Sequence, residues 1–530
     1  MTALLLTLFL PLAGSILLLF VKREQTQLIK TGALVISLLS FIASVFLLFS
    51  FDQSNPGFQF VINQIWVESF DAGFRIGVDG MSMLLLMLTT FISPITILSS
   101  FYSIHKRDKE YYVMMLLLQF GMTGVFISLD LFLFYIFWEI ILIPMYFIIG
   151  VWGGKNRIYA AVKFFIFTVV GSLFMLVAIV WLGHYVGTEI IKNAQGFTTN
   201  FMVIRDVSFN IPFDIQKWMF LAFALSFCIK VPLFPLHTWL PDAHTEAPTP
   251  GSVILAGVLL KMGTYGLIRF NLELFPQSAF AYASPIAWLA VIGIIYGALV
   301  SLVQTDIKKL VAYSSVSHLG FVVLGIFSMT ATGIQGAIIQ MVNHGLTTGM
   351  LFLIVGMIYE RRHTREISEF GGIARVMPVF TVFFGIALLG SVGLPGLNGF
   401  VGEYLTLIGA FTSPFLDSWA YSIIAASGVI FAACYLLWMF QRVMFGTNDN
   451  PQNHNLKDLG KQEWATLVPI VIFIVWIGIY PSTFLNISEN STKALVNKLE
   501  LIKFGKAKYE LPTEMDKIKL EKEQNILNTK

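Results

Sequence analysis

Residues 223–246 read FALSFCIKVPLFPLHTWLPDAHTE, and this stretch decides the fold. It continues an apolar run that begins near Lys217, yet it holds a lysine, Lys230, followed at once by Pro232 and Pro235. Proline removes a backbone donor and clashes with the preceding turn, so a helix stops there. In hydrocarbon the freed backbone groups need partners from protein or from water, so the break belongs inside a helix bundle, beside a cavity. A second over-long run, 376–412, is interrupted in the same way at Gly393-Leu394-Pro395-Gly396. Each run is predicted to be two half-helices joined by an unwound stretch.

The rest of the chain supplies the bundle. Of 530 residues, 56% are hydrophobic and only 12% charged, a composition no soluble domain shows. Apolar runs of about twenty residues, each able to cross a hydrocarbon core roughly 30 Å thick, recur from Ala3 to about Tyr480. Counting them gives fourteen spans, so the expected fold is an all-α polytopic membrane protein. The first run, 3–21, has no small-residue cleavage site and reads as a retained span. Loops after odd-numbered spans hold most of the Lys and Arg, among them Lys106, Arg107, Arg157, Lys308 and Arg365, and therefore face the cytoplasm. Loops after even-numbered spans hold few, Arg75 and Arg269 among them.

The broken runs are the seventh and twelfth spans, and an odd separation means that they cross the membrane in opposite directions. Two inverted five-helix repeats follow, 111–271 with the broken helix 217–246, and 284–443 with the broken helix 376–412. A three-helix segment, 1–110, precedes them; a last span, 464–482, and a polar tail, 483–530, follow.

An ionised group deep in hydrocarbon costs at least about 2.5 to 3.5 kcal/mol, so each needs a partner, a hydrated cavity or a role. Counting rise along each helix puts Glu139 about 13 Å and Lys261 about 16 Å deep, with His318 and His344 at similar depth. Lys230 and Glu403 sit beside the two helix breaks, also at middle depth. These six titratable groups suggest a file running parallel to the membrane. Plainer roles are open to four of them: Glu139 and Lys230 as a static ion pair, His318 bonded to Ser314 or Ser315, His344 bonded to Thr347 or Thr348. His237 and the segment Pro241–Glu246 could equally cap the seventh span or form an ion entrance. Asp306-Ile307-Lys308-Lys309 reads most simply as a positive-inside loop, with a second role as a proton port open to it.

Other classes are disfavoured. Two cysteines, Cys228 and Cys434, both inside apolar runs and read as core residues, cannot bind an iron–sulfur cluster or a structural zinc. No glycine-rich phosphate loop opens a helix after a strand, and no basic stripe with interleaved aromatics suggests nucleic acid. The chain is expected to carry no cofactor or metal and to do no redox chemistry itself. A purely structural scaffold could be built with leucine, without buried charges.

The run from Phe227 to Gly263 resembles the antiporter-like subunits of respiratory complex I (NADH:quinone oxidoreductase). Phe134–Tyr146, Asp306–Gly320 and Asn343–Leu346 agree with the same family, and the resemblance covers roughly residues 75 to 445. Glu403, in Leu394–Glu403, and the segment Tyr359–Arg365 look like the M branch, similar to mitochondrial subunit 4; the sister chains L and N have Lys where Glu403 stands. The resemblance implies one proton pathway driven by quinone chemistry in distant subunits. Glu139 and Lys230 would be a coupled pair, Lys261, His318 and His344 a central relay, and Glu403 the exit group. Implied partners are the other membrane-arm subunits, chains L and N and small subunits, within the lipid bilayer. The expected location is the bacterial cytoplasmic membrane, with the mitochondrial inner membrane second. A multisubunit cation/proton antiporter would share the fold and most of these charges. The tail after about Leu485 matches nothing in the family.

Overall fold

The computed structural model describes residues 1–509; the distal part of the expected tail, 510–530, lies outside the described residues. Among the described residues, twelve helices are long and apolar enough to cross a membrane. Two further crossings are pairs of half-helices, Phe213–Lys230 with Trp239–Glu246 and Pro378–Val392 with Asn398–Phe411, which makes fourteen.

Both breaks have local causes. Past Lys230 the chain turns at Pro232, and the loosened carbonyls are taken up within the protein: Leu233 N–H donates to Cys228 O at 2.9 Å, and the Trp239 indole N–H to Ile229 O at 2.9 Å. The twelfth span ends its first half on Gly393 at φ +83°, a left-handed cap that a side chain would strain. Across that break, the Asn343 amide of the eleventh span donates to Asn398 O at 2.7 Å, so a neighbouring helix satisfies the opened backbone. The fifth span also breaks, between Leu131–Ile140 and Leu142–Trp152, just past Glu139.

Burial sorts the helices into an inner set and a lipid-facing rim. The eighth span, Thr249–Leu272, and the eleventh, Ala331–Arg362, are wholly buried in their central windows, and the tenth, Ile307–Phe327, is 94% buried; the first two and last two spans are buried over 39% or less. The helices carrying Lys261, His318 and His344 are therefore the axis of the bundle.

Connections after even-numbered spans meet on one face. There β1 (Gln59–Val67) and β2 (Ala72–Val78) form an antiparallel hairpin that the apolar-run reading missed. The start of the expected polar tail is a helix, Ser482–Phe504, amphipathic enough to bury Ile487, Leu495, Val496 and Leu499 against the bundle. Its Ser491 hydroxyl donates to Pro56 O at 3.0 Å and accepts from Gly80 N–H at 3.1 Å. Connections after odd-numbered spans meet on the opposite face, where Gly154 N–H donates to Glu246 O at 2.9 Å and Arg365 to Thr245 O at 2.7 Å. Cys228 is buried, but Cys434 faces outward and is not the core residue expected.

Candidate functional site

Four of the six titratable groups join in one run. Lys261 lies between two π-helical stretches, Leu255–Leu259 and Leu267–Leu272, whose wider turns bring its Nζ within hydrogen-bonding reach of the Ala256 carbonyl. The same Nζ lies 2.7 Å from His344 Nδ1. His344 and His318 stand with ring centroids 5.9 Å apart. His318 Nδ1 is 2.8 Å from Glu403 Oε1, and its Nε2 is 3.2 Å from Ser391 Oγ and 3.4 Å from the Tyr435 hydroxyl. Gln340 donates to the same Glu403 oxygen at 3.2 Å. Relative exposures are 0% for Lys261, 2% for His344 and 3% for both His318 and Glu403, so the run is sealed from both surfaces.

The serines and threonines one turn away on their own helices do not hold these histidines. Ser314 and Ser315 donate instead to Val311 O, and Thr347 donates to Asn343 O at 2.9 Å. Freed from their own helices, both rings reach across to neighbouring spans, which is the geometry a relay between helices requires.

Lys230 and Glu139 behave differently from a contact ion pair. No nitrogen-to-oxygen distance of 4.0 Å or less joins them among the described residues, and neither Lys230 Nζ nor Glu139 Oε1 has a hydrogen-bond partner. The ammonium rests on aromatic faces, 5.1 Å from the Trp138 ring centroid and 5.6 Å from that of Phe164. Such contacts stabilise a cation without fixing it to one oxygen. Backbone packing keeps Lys230 near the axis: a Cβ on Gly263 would meet Phe227 O at 2.7 Å, so the seventh and eighth spans touch where both lysines sit.

Two charge clusters on the even-loop face escaped the sequence reading. Arg269 donates to Asp79 at 2.6 Å and to Glu273 at 2.7 Å, all three buried. Arg75 donates to Asp130 at 2.7 Å and to Asp71 at 2.5 Å. The sequence places both arginines in loops; in the fold they are buried and paired. On the opposite face Lys308 is likewise no free loop cation: it is 5% exposed and donates to Ala247 O at 2.5 Å, while Asp306 caps its helix and pairs with Arg365 at 3.1 Å. In the segment 241–246, Asp242 pairs with Lys163 at 2.6 Å and Glu246 accepts from Asn156 N–H at 2.9 Å. His244 stacks on Phe352 at 4.7 Å, and neither of its nitrogens has a partner. Gln340 was also missed, although its spacing of four residues from His344 places it on the same helix face.

Two oppositely directed broken helices around a buried run of lysine, histidine and glutamate define a polytopic, antiporter-like membrane transporter. The chain belongs to the family described as NADH:quinone oxidoreductase/Mrp antiporter, TM, which matches residues 128–432. It is 44% identical to NADH-quinone oxidoreductase subunit M of Rickettsia bellii (strain RML369-C), over 93% of this chain and 98% of that one. It is 42% identical to NADH-ubiquinone oxidoreductase chain 4 of Marchantia polymorpha, over 92% and 95%. Among solved structures, a chain of respiratory complex I from Thermus thermophilus with bound NADH superposes with a TM-score of 0.82 at 30% identity, covering 94% of this chain and 99% of that one. A chain of the Mrp complex from Dietzia sp. DQ12-45-1b shares the fold at a TM-score of 0.81 and 18% identity.

Proposed function

We propose that this chain is the proton-translocating M-type membrane subunit of NADH:quinone oxidoreductase, resident in the bacterial cytoplasmic membrane beside antiporter-like chains L and N and small membrane-arm subunits. In this reading quinone reduction elsewhere in the complex drives proton transfer through this chain, which carries no cofactor and does no redox chemistry. The units 111–271 and 284–443 each supply half of the pathway. Glu139 and Lys230 form the first half, Lys261 and His344 the centre, and His318 with Glu403 the second half.

The observation that carries the reading is the run from Lys261 through His344 and His318 to Glu403, which spans four helices, with contacts of 2.7 Å and 2.8 Å at its two ends and the two imidazole rings 5.9 Å apart between them. Protons exchange directly between donor and acceptor at the two hydrogen-bonded ends of the run, and a ring movement or a bridging water carries the step between His344 and His318. The loose placement of Lys230 supports a second feature. A lysine held by ring faces can change its distance from Glu139 when the charge on Lys261 changes, coupling the halves electrostatically.

The test is quinone-coupled proton uptake by the complex in sealed vesicles, with His344→Leu replacing one member of the run. Loss of pumping with normal complex content is expected; full pumping would remove the run as the path. A cation/proton antiporter shares the fold, but 44% identity to a subunit M over nearly the whole of both chains favours the oxidoreductase. Deleting the gene should abolish NADH-driven quinone reduction coupled to a proton gradient and spare cation/proton exchange.

A further inference from the structure

The odd-loop face holds a cavity of about 630 Å³ between the connection of spans three and four and that of spans five and six. Lys106, Arg107 and Arg157 line it with Trp152 and Ile158, and no carboxylate is among its lining groups. The nearby acids are engaged elsewhere: Asp108 lies 3.3 Å from Lys30, and Glu110 lies 2.6 Å from Arg23. None of the three lining cations has a carboxylate within 4.0 Å among the described residues, and Arg157 makes only a long contact, 3.4 Å, to Gly154 O. The walls are tied together, since the Trp152 indole N–H donates to Lys106 O at 2.7 Å. The cavity is thus an open depression that carries three exposed positive charges with no carboxylate partner.

Its position says which anion it suits. Four helix ends surround it, those of Gly80–Ser103, Asp108–Ile127, Leu142–Trp152 and Arg157–Tyr185, so it lies at the depth of lipid headgroups on the side that the Lys and Arg bias assigns to the cytoplasm. Directly below it the sixth span turns an apolar stripe outward at helical spacing: Ile158 is 61% exposed, Val162 38% and Ile166 54%. A soluble anion would use the cations and leave that stripe unused. A phospholipid uses both, its phosphate among Lys106, Arg107 and Arg157 and its acyl chain along Ile158, Val162 and Ile166.

We propose that this cavity is a headgroup site for an anionic phospholipid of the cytoplasmic leaflet. Basic pockets between transmembrane helices on that side recognise acidic headgroups through charge, each cation near the surface being worth roughly fivefold in affinity. Choline headgroups are selected against because their ammonium would face three cations.

The experiment uses the detergent-solubilised complex that copurifies with this chain, titrated with phosphatidylglycerol, phosphatidylcholine or inorganic phosphate and read by native mass spectrometry. Phosphatidylglycerol should be retained and phosphatidylcholine not. The Lys106→Gln/Arg107→Gln/Arg157→Gln chain should lose that retention by on the order of 100-fold. Equal retention by the triple variant overturns the proposal. So does displacement of the lipid by inorganic phosphate at matched concentration, which would mark a free-anion site. Loss of a polypeptide in place of a lipid would mark a docking site for an acidic protein segment and also overturn it. Should the triple variant fail to accumulate, a photoactivatable phosphatidylglycerol on the unaltered complex decides: crosslinks at Gly150–Ile158 support the site, and crosslinks only elsewhere overturn it.

Discussion

His318 and Glu403 meet where the tenth span crosses the second half of the twelfth, Nδ1 to Oε1 at 2.8 Å, both sealed from either surface. The contact exists because the break at Gly393–Leu397 lets the second half-helix restart with Glu403 turned inward. Gln340 donates to the same oxygen at 3.2 Å. The carboxylate therefore has a proton donor beside it that can let go, and an amide that holds it in place.

Glu403→Gln should therefore keep the fold and lose proton pumping, since an amide accepts the same hydrogen bond but cannot carry the proton. Glu403→Asp should retain part of the activity, the shorter side chain lengthening the 2.8 Å contact. The measurement is vesicle acidification per quinone reduced, normalised to complex content. Full coupling in the Gln variant would leave Glu403 as a structural acceptor.

The Lys230 geometry changes what is expected of its partner. Breaking a buried contact pair costs about 3 to 5 kcal/mol, but Lys230 and Glu139 are not in contact, and Lys230 rests on Trp138 and Phe164. Glu139→Gln should thus leave thermal stability within about 1 kcal/mol of the parent and still reduce pumping, the two charges acting at a distance. A severe loss of assembled complex would argue for a hidden contact.

Arg269 is the opposite case. It is the common partner of Asp79 and Glu273, both buried, so Arg269→Met strands two carboxylates at a cost of about 3 to 5 kcal/mol. The expected phenotype is failure to accumulate, seen as lost complex on a native gel. Normal accumulation with impaired pumping would move this cluster into the proton path.

These contrasts show where sequence reading reached its limit. Depth follows from counting residues along a helix, because rise is fixed, and that is enough to single out Glu139, Lys261, His318 and His344, while the helix breaks single out Lys230 and Glu403. Partners depend on how each helix is rotated against its neighbours, which counting does not give; hence Ser314 was weighed for His318 when Glu403 holds it. Arg75 and Arg269 were lost for a related reason: at span ends, depth counting cannot tell a loop cation from one folded back onto Asp130 or Asp79. The helix breaks at Pro232 and Gly393 were legible because proline and glycine leave a mark in the sequence. The π-helical turns around Lys261 leave none.

Lys498, on the C-terminal helix outside the membrane, gives a pH test. Burial holds its ammonium down to about 8 from an ordinary 10.5, with Glu273 opposing the shift. It donates to Arg205 O at 2.7 Å and to Glu273 O at 3.3 Å. Between pH 8 and 10.5 the undocked helix binds more protons than the docked one, so docking strengthens as pH rises through that window and is weakest below about 8. Compared with Lys498→Met, which does not titrate, the parent should gain up to about 2 kcal/mol between pH 7 and 9.5. Melting curves of both complexes at the two pH values check it; parallel shifts would show that Lys498 does not titrate in that window.

Lys261 is the sharpest test of the pathway. It is fully buried on one of the two wholly enclosed helices of the bundle, and among the described residues it has no carboxylate within 4.0 Å and its Nζ touches only the Ala256 carbonyl and His344 Nδ1. The carbonyl only accepts, so the one group that can exchange a proton with Lys261 is His344. Two roles fit that position: a fixed charge that biases its neighbours, or a carrier that gives up its proton to the histidine and regains it. Lys261→Arg separates them, because arginine keeps the charge but stays protonated in a protein. Lys261→Met removes both and serves as the baseline. If Lys261 is a carrier, Arg and Met should fail alike, with proton pumping lost and the complex assembled. If it is a fixed charge, Arg should pump well above Met. Because the longer arginine must also fit a closed site, His344→Gln is measured alongside. That variant keeps Lys261 charged and hydrogen-bonded but removes its only proton acceptor, so pumping should fall to the Met level, and Arg and Gln both pumping normally would move the path away from this contact.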